Sequence, residues 1–442
     1  MREDESRHDW EERVTDALIE KGEIAEWPGG REGGGFMYRP NEVIVDRDAY
    51  EKTGMKEELR SRGGDKPIPV QRLATRHPIG RDPHLKAPSL RFRLDVKETP
   101  LPKMVAEMKA KGYPVDCNYI LAAGQRPKWH PGDDPEYGPV LGPLPEADLD
   151  AGSGVKVAVI DTGLYRPATE SAPTVLGGVI GEDDWLYEVT PGPEEDLPGY
   201  LLEAGGHGTF VAGLVRRVAP GAEVFVFNAG TPDGFGDLGL LLSKLTQAFD
   251  LGCDVINISM GTYTLDDQPL AAFDTALARL RSESGRDVAV VASAGNDGIE
   301  RKGWPAASDG VIGVASLDDE GNLSAFSNRG PWLKAAAPGE KLASVFVPGV
   351  EQAGTDPDLR PESWRDHFRG SASRCADEGE PVGQWAEWSG TSFAAPLVTG
   401  ALAVEIAGGA TPSDAAATLL GPTILDGTDP GPVPVTPTFQ LG

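Results

Sequence analysis

Three stretches of this 442-residue chain carry side chains that could do nucleophilic chemistry together. Gly390-Thr391-Ser392-Phe393-Ala394-Ala395-Pro396 runs from a small polar turn into an apolar stretch at residues 397–406 that suits a buried helix. Thr391 or Ser392 stands where a helix N-cap belongs. A serine there has backbone N–H groups and the positive end of a helix dipole beside its hydroxyl. Such a place stabilises negative charge growing on an attacked carbonyl. Residues 155–160 are almost continuously apolar, as in a parallel strand buried on both faces, and they end in Asp161-Thr162-Gly163. A carboxylate at the C-terminal end of such a strand lies at the edge where open α/β sheets place their sites. Gly206-His207-Gly208-Thr209 sets a histidine between glycines, ahead of a helical apolar pattern. Asp161, His207 and Ser392 can form a nucleophilic triad with the base between nucleophile and orienter. Taken singly, each also reads as an ordinary structural residue.

In the chain order Asp, His, Ser, the three motifs resemble those of the subtilisin-like serine peptidases. Val291-Ala292-Ser293-Ala294-Gly295-Asn296-Asp297-Gly298 resembles that family's oxyanion stretch, with its asparagine at Asn296. Val255-Ile256-Asn257-Ile258-Ser259-Met260-Gly261 resembles the strand that pairs with substrate. The resemblance covers about residues 154–408. It implies a serine endopeptidase with Ser392 as nucleophile, His207 as base and acid, and Asp161 as orienter. The oxyanion donors would be Asn296 and the Ser392 N–H. Ser259, Met260 and Gly261 would pair with extended substrate, a form of strand addition. Ala294, Gly295 and Asp297 would line the pocket before the cut bond. Asp297 either favours a basic or polar residue there or is a solvated loop carboxylate. The acidic runs 182–184 and 194–196 either border the cleft or are solvated. The chemistry requires no cofactor. Calcium is common in the family, but no ligand loop of the D-x-D-x-D-G kind stands in this sequence, so no metal ligand is assigned.

Composition narrows the partners. The formal net charge is −28, from 41 Lys+Arg against 69 Asp+Glu, which disfavours nucleic acid and anionic membrane. Cys117, Cys253 and Cys375 are too far apart for a metal pattern or a disulfide framework. No apolar run reaches the ~18 residues of a transmembrane helix. The N-terminus is acidic and lacks a signal peptide's apolar region, so the expectation is a cytoplasmic protein unless the sequence is trimmed.

The expected fold class is α/β, a subtilisin-like parallel sheet with helices on both faces, preceded by a small ferredoxin-like α+β domain. Residues 1–35 read as a helix over 8–26 and a Gly-rich linker. Residues 36–122 give strands at 42–45, 70–75, 90–96 and 115–121, with helices at 49–61 and 101–111, in the order βαββαβ. Residues 123–152 are a Pro/Gly-rich linker. Residues 153–420 are the peptidase domain, with a polar insert at 348–386. Residues 421–442 are a Pro-rich tail without the family's closing motif, which leaves the last strand open. By topology and position the βαββαβ unit resembles the family's propeptide, which folds and inhibits the enzyme; the alternative is an unrelated accessory domain. Its tail, about residues 119–125, would then lie in the cleft. Residues 39–121 carry about 17 Lys+Arg and about 12 Asp+Glu, so opposite fields favour docking on the acidic remainder. Trp304-Pro305 stands where the family tends to have a cis proline. The whole suggests an intracellular processing protease regulated by its N-terminal domain. The rival is an inactive subtilisin-like scaffold that binds peptides, and the four filled catalytic positions count against it.

Overall fold

The computed structural model describes residues 15–16, 18–28, 35–52, 54–70, 85–96, 99–123, 136–137, 149–166, 168–169, 173–182, 205–230, 235–346, 385–421 and 433–435. An eight-stranded sheet forms its centre. From one edge to the other it runs Val433–Pro434, Ala335–Pro338, Val311–Leu317, Ala289–Ser293, Val255–Ile258, Lys156–Asp161, Glu223–Asn228 and Ile180–Gly181. Every pairing in it is parallel. The near-continuous apolar strands are explained by cover on both faces. Ala158, Ile160, Ile256, Ile258, Val290 and Ala292 enter one core, and Val157, Val159, Val255, Val291 and Val314 enter the other. Leu238–Asp250 and Ala271–Ser284 pack into the first core, and His207–Val218 and Thr391–Ala407 into the second.

The last strand, left open by the missing motif, is supplied by the tail: Val433 and Pro434 pair with Ala335 and Ala336. The Trp304–Pro305 bond is cis. Among the described residues no single helix is long and apolar enough to cross a membrane. The most apolar helix, Thr391–Ala407, is apolar because it is the core of the second face.

The N-terminal unit contains antiparallel strands Phe36–Asp46, Ile68–Pro69, Ser89–Arg93 and Val115–Ala123, with the fourth beside the first, then the third, then the second. That order is ferredoxin-like. Leu90, Phe92 and Leu94 are buried while Arg93 is exposed, so the period of two was a sound signal. The single helix expected at 49–61 is two, Arg47–Lys52 and Met55–Ser61, with Gly54 at the start of the second. The second strand pairs at Ile68 and Pro69, earlier than the expected 70–75; residues 71–75 lie outside the described residues. The helix read over 8–26 ends before Gly22, whose φ of +72° breaks it, and Ala25–Trp27 is a strand paired with Phe36–Tyr38.

One apolar cluster runs from Val43, Phe92, Met104 and Cys117 of this unit to Leu241, Phe273 and Leu277 beneath the parallel sheet. Two polar residues of strand Val115–Ala123 meet helix N-termini across that boundary. Asp116 accepts from Ala272 N at 2.7 Å, and Asn118 accepts from Gly239 N at 2.9 Å. Helix Ala271–Ser284 has no side-chain cap of its own, so Asp116 fills that role from outside. Burial pushes the Asp116 carboxyl up, against the pull of Lys109 2.5 Å away. The ion pairs across the boundary have both polarities. Arg39 approaches Asp237 at 3.7 Å, whereas Arg279 lies 2.7 Å from both Asp46 and Asp48. The basic-on-acidic picture drawn from net charge therefore describes only part of the contact.

Candidate active site

Asp161 ends its strand at the C-terminal edge of the parallel sheet, and His207 opens its helix beside it. The His207 ring Nδ1 lies 2.8 Å from Asp161 Oδ1, and both residues are fully buried. That oxygen also accepts from Thr162 N at 2.7 Å. Gly208 is required here, because a Cβ would stand 2.3 Å from Gly163 O, so no side chain fits between the helix start and the strand end. Among the described residues His207 Nε2 makes no hydrogen bond. The ring is held by aromatic neighbours instead: Trp388 stands edge-on at 5.3 Å between centroids, and Phe393 lies at 5.2 Å.

Ser392 is the second residue of helix Thr391–Ala407, and its hydroxyl donates to Ser259 O at 3.4 Å. The structure thus joins Asp161 to His207 directly and brings Ser392 to the same sheet edge without a bond to His207. Such bonds are often long or unmade in a resting site. The helix N-cap is Gly390, not Thr391 or Ser392, and it provides no side-chain cap. The Thr391 hydroxyl is engaged elsewhere. It donates to Asn296 Oδ1 at 2.8 Å and accepts from Gly295 N at 3.0 Å. Asn296 Oδ1 also accepts from Thr391 N at 2.8 Å, which turns its amide nitrogen away from Thr391 and toward Gly390. A Cβ on Gly390 would lie 3.3 Å from that nitrogen.

Pro396 inside the serine helix has a specific consequence. A proline cannot donate to the carbonyl four residues earlier, here that of Ser392. Ser259 replaces the missing donor: its hydroxyl bonds Ser392 O at 2.9 Å. Asn257 donates to Ser259 Oγ at 2.9 Å, and Thr399 donates to Asn257 Oδ1 at 3.0 Å. Ser259→Ala leaves the Ser392 carbonyl buried without this partner, a loss of about 1–3 kcal/mol. We expect it to lower kcat by at least about tenfold with KM nearly unchanged, since the Ser259 backbone survives. Steady-state kinetics beside a thermal melt check this; a fall in stability with kcat intact would make Ser259 merely structural.

Met260 and Gly261 pair antiparallel with Ala123 and Ala122, while Gly236 and Asp237 pair with Leu121 and Ile120. The tail of strand Val115–Ala123 is therefore clasped as the middle strand between two edges. Residues 124 and 125 of the expected tail lie outside the described residues. Leu121 belongs to the core that holds Leu238, Leu241 and Met260; Ile120 belongs to another, with Phe235, Met37, Leu18 and Ile24.

The specificity candidates fall differently. Ala294 and Gly295, the latter with φ +99°, precede Asn296, and Asn328 donates to Ala294 O at 3.0 Å. The Asp297 carboxylate accepts from the Tyr263 hydroxyl, which also accepts from Asn328 at 2.8 Å. Arg301 lies over the Tyr263 ring at 4.5 Å. Asp297 is thus part of a hydrogen-bonded cluster rather than a solvated loop carboxylate. Glu182 does not border the cleft. It is 2 % exposed, both oxygens lie 2.7 Å from the buried Lys244 Nζ, and it also accepts from Asn228 N. Desolvation pulls the Lys244 ammonium down, and Glu182 opposes it. Residues 183–184 and 194–196 lie outside the described residues, as does the expected 348–386 insert up to residue 384; its last two residues belong instead to strand Trp385–Trp388. Lys244→Met is expected to cost about 3–5 kcal/mol by stranding Glu182, while pairing it with Glu182→Gln, which removes the charge and keeps an acceptor for Asn228 N, should recover much of the loss. Urea unfolding measures both, and equal damage in single and double variants would refute the pairing argument. Among the described residues no cluster of metal-ligating side chains occurs.

Residues 152–424 match the subtilase family model, the peptidase S8 domain, and this span is more than half of the chain. The chain belongs to the subtilase family. It is a serine peptidase, a hydrolase of peptide bonds. Subtilisin BL of Lederbergia lenta is 32% identical over 211 residues, covering 46% of this chain and 70% of that one. Thermitase of Thermoactinomyces vulgaris is 30% identical over 222 residues, covering 48% of this chain and 72% of that one. The fold is similar to that of fervidolysin from Fervidobacterium pennivorans, a keratinolytic enzyme related to subtilisin, with TM-score 0.51 and 19% identity. That match covers 90% of this subtilase but only 60% of fervidolysin. The sequence singled out Asp161, His207, Ser392 and Asn296 as candidates but not Tyr263, Asn328, Trp388 and Thr399, which pack or bond around them. The lysine, the one charge within the run 238–249, was the one signal that could have exposed a buried pair.

Proposed function

We propose that the chain is an endopeptidase using Asp161, His207, Ser392 and Asn296, latent while its own N-terminal unit fills the cleft. The observation that carries this reading is the clasped strand: residues 120–123 lie antiparallel between Gly236–Asp237 and Met260–Gly261. Substrate would enter by the same strand addition. Ser392 Oγ bonds to the carbonyl carbon and passes its proton to His207 Nε2. Asp161 holds the Nδ1–H and stabilises the imidazolium. The oxyanion is met by Asn296 and the Ser392 N–H. The carbon–nitrogen bond breaks as His207 returns the proton to the leaving amine. Water, deprotonated by the same histidine, then cleaves the ester.

The paired tail approaches Ser259 in the order Ala122, Ala123, and Ser259 O is the atom bonded to Ser392 Oγ. By sequence order the next carbonyl would be that of Gly124, and the bond proposed to be cut is Gly124–Gln125. The matching substrate has an apolar residue at the Leu121 position and small residues at the last three. Such narrow demands suit processing of particular sequences. The test incubates the purified chain and sequences new N-termini. A terminus at Gln125 in the wild type, absent from Ser392→Ala, is expected; a terminus formed equally in both would remove the self-processing assignment. A fluorophosphonate probe that fails to label Ser392 after the unit is removed would favour the peptide-binding scaffold.

A further inference from the structure

We infer that the cavity between helix Pro412–Leu420 and the start of strand Val311–Leu317 binds an organic acid, a carboxylate carried on an apolar body. The cavity measures about 640 Å³. A water takes up only about 30 Å³, so the space suits a small molecule rather than a lone ion. The first residues of strands Ala289–Ser293 and Val311–Leu317 line it. It therefore lies at the N-terminal edge of the parallel sheet, opposite the edge that carries Asp161. No catalytic candidate and no residue of the clasped tail belongs to its lining.

Polarity divides the lining. Val290, Val311, Ile312 and Leu420 are buried and give it an apolar floor. Three cations stand around that floor: Lys302, which is exposed, and Lys334 and Arg281, which are half-buried. Among the described residues none of the three makes an ion pair, whereas Lys109, Lys244 and Arg279 each have a carboxylate within 2.7 Å. Two carboxylates are on the lining, but neither serves the cations. Asp287 is taken up by Ser413, whose N–H and hydroxyl donate to it at 2.9 and 2.8 Å, and Asp309 is exposed. The Arg281 guanidinium donates to Val288 O at 2.9 Å and Gly310 O at 3.0 Å, neutral groups that leave its charge uncompensated. Burial pulls it down, against the field of Asp287. Trp332 adds a buried indole Nε1 with no hydrogen bond among the described residues. In a chain of net charge −28, this is a local concentration of positive charge and spare donors. An oxyanion is what these groups lack, and the floor decides its class. Phosphate or sulfate would leave the apolar floor in water, whereas a carboxylate with an apolar body meets both parts of the lining.

The test titrates the full-length Ser392→Ala chain, chosen so that the protein stays intact, with decanoate in a calorimeter. Decanol supplies the same body without the charge. Acetate and inorganic phosphate supply the charge without the body. We expect saturable binding of decanoate, with each of the three comparison compounds at least about tenfold weaker. Lys302→Met and Lys334→Met should each weaken decanoate about tenfold and leave decanol unchanged. Decanoate binding that survives both substitutions unchanged overturns the inference, as does decanol binding as tightly as decanoate. Phosphate binding as tightly as decanoate would mean a plain anion site and overturns the organic-acid assignment. A second measurement places the ligand: amide hydrogen exchange at residues 311–313 and 412–420 should slow when decanoate is added. Protection confined to other segments overturns the placement. Neither measurement requires the chain to cut a peptide, so the outcome is separate from that of the peptidase reading.

Discussion

Ser392→Ala is expected to abolish peptide hydrolysis, a fall of about 10⁶ in kcat, the loss that subtilisin itself shows, carried over to this subtilase. The fold should survive, because the lost hydroxyl makes only a 3.4 Å bond to Ser259 O while the Ser392 backbone stays tied by Ser259 Oγ. Asn296→Ala should cost about 10²–10³ in kcat, again subtilisin's own range. Here the structure adds a complication. Asn296 Oδ1 accepts from both the backbone and the hydroxyl of Thr391, so alanine also strands two buried donors. About 1–3 kcal/mol of stability should go with the activity. Asn296→Asp separates the two effects: it keeps the acceptor for Thr391 and removes the amide donor, so kcat should fall while the melt moves less. Kinetics on a chromogenic peptide beside thermal melts measure all three. Full activity of the Ser392→Ala protein on any peptide cut by the wild type would end the assignment of the nucleophile.

The residues proposed as catalytic were legible because each sits at a junction that the chain marks locally. Asp161 closes an apolar strand, His207 lies between glycines, and Ser392 opens an apolar helix. What escaped notice depends on partners far away in sequence. The Thr391 cap failed because its hydroxyl is taken by Asn296, 95 residues distant. Glu182 read as one member of an acidic run because its partner Lys244 is 62 residues away. Pro396 read as a helix residue, and only the observed bond from Ser259 shows what replaces the interaction it removes. Net charge of the N-terminal unit suggested one polarity of contact, but Arg279 between Asp46 and Asp48 reverses it locally. A sum over residues cannot say which charges meet. The period-two strand expected at 90–96 is found at Ser89–Arg93, because sheet alternation is a local property while the strand's end is not. The two short helices around Gly54 were not expected, because a single glycine is tolerated in some helices and not in others.

Removing residues 1–124 from the otherwise intact, folded protein is expected to raise peptidase activity at least about a hundredfold. Three contacts set that size. The tail itself fills the strand position proposed for substrate, and its tether gives it a local concentration on the order of millimolar. The unit shares one continuous apolar cluster with the helices Leu238–Asp250 and Ala271–Ser284. Asp116 and Asn118 satisfy N–H groups at the start of those same helices. The two polar contacts offer the cleanest test, since neither residue touches the catalytic groups. Each alanine substitution, Asp116→Ala or Asn118→Ala, should weaken docking by about 1 kcal/mol, or about fivefold in the inhibition constant of the unit. Asp116→Ala should also leave the half-buried Lys109 ammonium without its carboxylate and with only the Pro269 carbonyl at 2.7 Å, so its effect should be the larger. Salt should loosen docking only modestly. Arg279, Asp46 and Lys109 are mostly shielded from solvent, and the shared apolar cluster is indifferent to ionic strength. The measurement is peptidase activity with time, for the wild type and both variants, before and after the unit is separated. The variants should become active sooner than wild type and reach the same final rate. Equal activity before and after separation, or variants as latent as wild type, would leave the N-terminal unit as an accessory domain that rests on the cleft without controlling it.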